Sequence, residues 1–171
     1  LRQALKGIDI GELMARGTIF ARDLVNTPAQ DMHPEKLVDA ARDIAKGNTS
    51  VRVKVYDRAA LTRMGAGGLL GVSQGSDPPP YLVHMVYKPK KATKSGLKAG
   101  SGSAGKRIAL VGKAVTFDSG GLSLKPADGM MTMKCDMAGS AAVLGAFSVI
   151  AGVAPACEVH GIFGAVENMP S

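Results

Sequence analysis

Between Asp9 and Asn26 the residues Ile10, Leu13, Met14, Thr18, Phe20, Ala21 and Val25 roughly follow helical spacing, and Asn26-Thr27-Pro28 stops the run. A second helix is predicted after Pro34, with Leu37, Val38, Ala41, Ile44 and Ala45 turned inward and Gly47 as its C-cap. Val51, Val53 and Val55 alternate with Arg52 and Lys54, the period-two pattern of a half-buried strand. Asp57 caps a short helix ending near Met64, and Gly65, Gly67, Gly68 and Gly71 predict an irregular passage as far as Pro78-Pro79-Pro80. Tyr81 to Tyr87 is a strand, and Ile108 to Gly112 is a short apolar strand expected in the middle of the sheet. A glycine-rich passage follows, then a helix from Met137 to Gly152 and a strand from Val159 to Val166. Helices alternate with strands, so the expected fold class is α/β, a mixed, largely parallel sheet covered by helices.

Composition narrows the class. With 171 residues, 46% hydrophobic and 20% charged, the chain can bury a sizeable core, which excludes a disordered tail, a collagen and a disulfide-stapled miniprotein. No apolar run approaches the roughly 18 to 20 residues of a membrane helix, and Leu1-Arg2-Gln3-Ala4-Leu5-Lys6 has no signal-peptide core, so a cytoplasmic protein without a membrane partner is expected. Cys135 and Cys157 are far apart and are expected to be free thiols. Lys88, Lys90, Lys91, Lys94, Lys98, Lys106 and Arg107 account for the whole net charge of +7. No acid and no aromatic interleaves them, so 88–107 is expected to be a flexible, solvated basic loop, and nucleic acid is not the expected partner. The chain starts without Met and Glu167-Asn168-Met169-Pro170-Ser171 holds no closing element, so both ends are expected to be cuts.

Open α/β sheets place their ligands at the carboxyl ends of strands, and Val111 to Ser140 is the segment that qualifies. Lys113, Asp118, Lys125 and Asp136 interrupt an otherwise apolar, glycine-rich stretch. Each has a plain structural account. Asp118 before Ser119-Gly120-Gly121 would enter an Asx turn, Asp136 would cap or open the next helix, and the lysines would leave a strand or precede Pro126. Two chemical alternatives fail. Gly100 to Lys106 fits the phosphate-loop spacing, but Arg107 stands where Ser or Thr should follow, and a strand comes next instead of a helix. Phe117-Asp118-Ser119-Gly120 resembles the aspartic protease phrase, but that chemistry needs two such aspartates and this chain has one.

A third reading is more specific. Thr116-Phe117-Asp118-Ser119-Gly120-Gly121 is similar to a near-invariant phrase of the leucyl aminopeptidase (cytosol aminopeptidase) family of two-zinc exopeptidases, and all of Val111 to Ser140 resembles that family's core. The resemblance extends to Ala21 to Ala29, Met64 to Gly75 and Ala138 to Gly145, so it spans nearly the whole chain. Ala114 stands where the family usually has Gly, and its methyl is expected beside the site. The resemblance implies that Lys113, Asp118 and Asp136 are metal ligands, with Asp118 bridging two ions, and that Lys125 is the catalytic lysine. It also implies that Met133 lines the pocket for the substrate's first side chain, although the plain account of Met130, Met131, Met133 and Met137 is core packing.

The implied activity is that of a metal-dependent aminopeptidase releasing leucine-like amino-terminal residues from peptides by two-metal hydrolysis. Two divalent ions per subunit (Zn²⁺ and/or Mn²⁺, with Mg²⁺ as a further option) and a homohexamer are implied with it. Residues 1–30 would be a linker helix and 31–171 the amino-terminal portion of the catalytic domain. The second reading is a family-derived DNA-binding or moonlighting protein without peptidase activity, to which the basic loop would contribute. Carboxylates suit paired dications because their oxygens offset the repulsion between the metals. A lysine amine ligates only as the neutral base, and removing its proton at pH 7 costs roughly 4 to 5 kcal/mol, which a metal bond must offset. A second lysine that stays charged stabilises the oxyanion growing on the carbonyl. Family members also carry an Asn-Thr-Asp-Ala-Glu-Gly-Arg segment with further acidic ligands and an arginine. None occurs here, since Asn26-Thr27 leads to Pro28 and Asn48-Thr49 to Ser50, so the chain is expected to supply part of a site and to be inactive alone.

Overall fold

The computed structural model describes residues 1–89 and 106–170; apart from its ends, the expected basic loop lies outside the described residues. Helix α1 (Arg2–Asn26) is followed by α2 (Pro34–Lys46), β1 (Val51–Tyr56), α3 (Arg58–Arg63), α4 (Gly67–Val72) and β2 (Tyr81–Tyr87). Then come β3 (Arg107–Asp118), α5 (Ala127–Met130), a 3-10 turn (Met133–Cys135), α6 (Ala138–Val153) and β4 (Glu158–Asn168). The four strands form one mixed sheet in the order β1-β2-β4-β3. β1 with β2 and β2 with β4 pair antiparallel and, among the described residues, β3 with β4 alone pairs parallel, so the sheet is mixed as expected but mostly antiparallel where a largely parallel one was expected.

Local chemistry explains the boundaries. Pro34 opens α2, whose inward stripe is Leu37, Val38 and Ala41, and Gly47 closes it by donating its N–H to Asp43 O and Ala45 O. The Asp57 carboxylate accepts the Ala60 N–H at 2.8 Å and starts α3. Three expectations need correcting. α1 begins seven residues earlier than its apolar spacing indicates, at Arg2, because Arg2 to Lys6 are good helix formers although Leu5 and Ile8 stay exposed. The passage from Gly65 to Pro80 is not wholly irregular, since α4 forms despite three glycines. Finally, β3 is neither short nor central: it is 12 residues long and lies at the sheet edge among the described residues.

The core lies between one face of the sheet and the helices. Val83 and Met85 of β2 and Phe163 and Ala165 of β4 pack with Leu37 and Val38 of α2 and with Leu144 and Phe147 of α6. Gly161 gives room there, since a methyl on it would meet the Phe147 ring at 2.6 Å. α1 packs over the far side of α6 through paired glycines: a methyl on Gly17 would stand 2.9 Å from Gly145 O. α6 is therefore apolar almost all round because it is covered on two sides. The stretch 127–153 does match a membrane span in length and hydropathy, contrary to expectation, but α5, the 3-10 turn and α6 divide it and α6 is a core helix. On the opposite sheet face, Leu69 of α4 lies over Gly164, while Val111 is 74% exposed. His84 and His160 meet on that face with Nε2 and Nδ1 2.8 Å apart, and His160 Nε2 lies 2.9 Å from Glu158 Oε1.

Candidate metal centre and active site

β3 sets the candidate residues apart from the core because its two faces differ. Gly112, Ala114 and Thr116 are buried toward the core, whereas Lys113 points away from it and is 60% exposed along its side chain. The Ala114 methyl belongs to the hydrophobic core, so the expectation that it would stand beside the site is corrected: alternation sends it to the other face. Gly112 also lets the start of α6 approach β3 backbone to backbone, and a methyl on Gly139 would stand 2.6 Å from Lys113 N. This approach brings Asp136 alongside the strand, with Oδ2 2.7 Å from Lys113 Nζ. Asp136 does not cap α6, whose N-cap position is Met137.

The second pair forms at the end of β3, where the register with β4 shifts between Val115 and Asp118. Asp118 Oδ1 accepts the Gly120 N–H at 3.0 Å, so the Asx turn expected from sequence is present. Gly120 and Gly121 have φ values of 94° and 65°, the left-handed region open to glycine, and they fold the chain back on itself. Lys125 N then donates to Ser119 O at 2.9 Å, and Lys125 Nζ binds Asp118 Oδ2 and lies 3.3 Å from Asp118 O. Burial alone would raise the Asp118 carboxyl, but hydrogen bonds from Lys125, Asn168 and Gly120 outweigh it and hold the group below its ordinary value.

The structure thus assembles two lysine–aspartate pairs, Lys113 with Asp136 and Lys125 with Asp118. Met133 is half-buried in the 3-10 turn that packs against β3, and the neighbouring Lys134 ties that turn to α1 by donating to Asn26 O at 2.9 Å. Sequence reasoning missed Asn168, whose Nδ2 donates to Asp118 Oδ1 at 2.7 Å. It also missed Ser119, whose N–H and hydroxyl both donate to Asn168 O, at 2.9 and 2.8 Å. Nothing in the run from Glu167 to Ser171 carried a spacing signal that would have pointed to Asn168. A groove of about 720 Å³ between α1 and α2, floored by Phe20, Leu24 and Ile44, lies elsewhere, and none of the five expected site residues lines it.

The donor set fits a divalent cation. Asp136 Oδ2 is buried and receives no hydrogen bond, and the cationic group beside it is Lys113 Nζ, at 2.7 Å. A buried carboxylate oxygen without a donor is costly unless a cation faces it. Among the described residues no three His, Cys, Asp or Glu side chains cluster, so a site here needs the lysine amine and donors from elsewhere.

Residues 19–171 match the catalytic domain of the cytosol aminopeptidase family, and the chain belongs to that family. It is 42% identical over 168 residues to the "Probable cytosol aminopeptidase" of Persephonella marina, covering 98% of this chain and 31% of that protein. It is 46% identical over 160 residues to the protein of the same description from Solibacter usitatus, again covering 31% of it. The chain therefore spans about a third of the length of the curated relatives it matches. Among solved structures, the bottromycin maturation enzyme BotP in complex with Mn superposes with a TM-score of 0.79 and 38% identity, over 93% of this chain and 32% of that one.

Proposed function

We propose that these residues form part of the active site of a metal-dependent aminopeptidase that removes leucine-like residues from the amino termini of peptides. The observation that carries this is the pair of lysine–aspartate contacts at β3, Lys113 with the buried Asp136 Oδ2 along the strand and Lys125 with Asp118 at its end. Lys113, Asp118 and Asp136 would hold divalent ions, which when bound polarise a scissile carbonyl and activate water for attack. Zn²⁺ and Mn²⁺ are the proposed ions, with Mg²⁺ as a further option, and the similar structure solved in complex with Mn supports the second. Lys125 lends the charge of its ammonium to the carbonyl oxygen as negative charge develops there. The Gly120-Gly121 turn presents that ammonium beside Asp118. Met133 borders the position of the substrate's first side chain. Residues 1–30 serve as the linker helix, and a cytoplasmic homohexamer is the proposed assembly.

Exhaustive chelation of the intact protein should abolish hydrolysis of leucine amide, and Zn²⁺ or Mn²⁺ should restore it. Full turnover by protein shown to be metal-free would refute the proposal.

A further inference from the structure

We propose that Asn168 is a positioning residue for Asp118, setting the affinity of the metal centre; this rests on the reading of Asp118 as a ligand. Asp118 and Asn168 are register partners at the ends of β3 and β4, beyond the bulge. Their backbones are stitched by Ser119, whose N–H and hydroxyl both donate to Asn168 O, so the Asn168 side chain has a fixed point from which to reach Asp118. Its amide donates to Oδ1 at 2.7 Å, and the Gly120 N–H donates to the same oxygen at 3.0 Å. Two donors occupy Oδ1 and set the carboxylate plane, leaving Oδ2 to face cationic groups, as it does toward Lys125. Gly121 is shaped to this arrangement, since a methyl there would press on Asn168 Oδ1 at 2.9 Å. Without the amide, one N–H remains on Oδ1 and the carboxylate can rotate, so a cation must pay the ordering entropy on binding.

The test measures Mn²⁺ binding to the intact protein by electron paramagnetic resonance of free Mn²⁺, for wild type, Asn168→Ala and the similarly sized Asn168→Leu. Both variants should bind Mn²⁺ roughly ten- to a hundredfold more weakly, and saturating Mn²⁺ should recover much of the turnover. Their melting midpoints in excess chelator should stay close to wild type. Unchanged Mn²⁺ affinity in a folded variant would overturn the proposal. So would a loss of midpoint in chelator with no separate loss of affinity, the behaviour of a residue that only holds β3 to β4. Wild-type protein that takes up no Mn²⁺ would instead overturn the ligand reading of Asp118, and this inference with it.

Discussion

The same substitution, glycine to alanine, should act in opposite directions at two helical positions, and the structure sets both magnitudes. At Gly139 the added methyl would lie 2.6 Å from Lys113 N and 3.3 Å from both Gly112 Cα and Lys113 O. The first approach is about 0.8 Å short of ordinary contact, and the obstacle is backbone, which cannot rotate aside. The start of α6 must therefore move off β3, at a cost of about 1 to 3 kcal/mol. Asp136 precedes α6 and would move with it, away from Lys113, and a misplacement on the order of 1 Å can lower turnover about a hundredfold. At Gly11, on the exposed part of α1, the methyl meets nothing within 4 Å, so alanine should stabilise by about 1 kcal/mol through helix propensity alone. Thermal melting of the intact protein, with leucine amide turnover measured alongside, tests both. Gly139→Ala should lower the midpoint and lose both activity and Mn²⁺ affinity; Gly11→Ala should raise the midpoint and leave turnover alone. Gly139→Ala protein with wild-type midpoint and turnover within twofold would refute the claim that this contact places Asp136.

Three further outcomes are expected. Lys125→Ala should lower turnover with metal content intact, whereas Lys113→Ala should lose metal from one site; equal, wild-type stoichiometry in both variants would refute the role given to Lys113. His84 is held below its ordinary value of 6.5, first by burial and then by repulsion from His160 and Lys54, so the unfolded chain takes the proton first. Its stabilising contribution is full above 6.5 and is lost as pH falls through the folded value, so His84→Gln should flatten the decline of melting midpoint on acidification below 6.5. The 171-residue segment alone should show no leucine amide hydrolysis even with excess Zn²⁺ or Mn²⁺, and turnover within tenfold of an intact family enzyme would refute that.

Patterns carried by near neighbours were legible in the sequence. The alternation at Val51, Val53 and Val55 and the stripe of α2 both formed as expected, as did the Asx turn at Asp118. Two features were hidden for a physical reason. α4 contains Gly67, Gly68 and Gly71, which disfavour a helix intrinsically, and its Leu69 is seated over Gly164, nearly a hundred residues on. The full length of β3 was masked because Lys113 looks like a residue leaving a strand, while the pairing that extends it is with β4. The candidate site divides in the same way. Lys113, Asp118, Lys125 and Asp136 stand in one readable segment, but Asn168 reaches Asp118 across 50 positions, a separation that no local pattern encodes.

The strand order gives the sheet a sequence of assembly. β1 and β2 are consecutive and antiparallel and can pair as soon as both are made, but β3 has no sheet neighbour other than β4 among the described residues. β4 is the latest of the four to leave the ribosome, and it inserts between β2 and β3. Until it does, β3 must wait without a strand to pair with, and contacts of such long sequence separation form slowly. The Asp118–Lys125 turn spans seven positions and can close early, whereas Asp118 meets Asn168 only when β4 docks. The latest of these four strands thus joins β2 to β3 and, in the same event, brings the Asn168 amide to Asp118, so the hydrogen bonding of this carboxylate is complete only once β4 is paired on both sides.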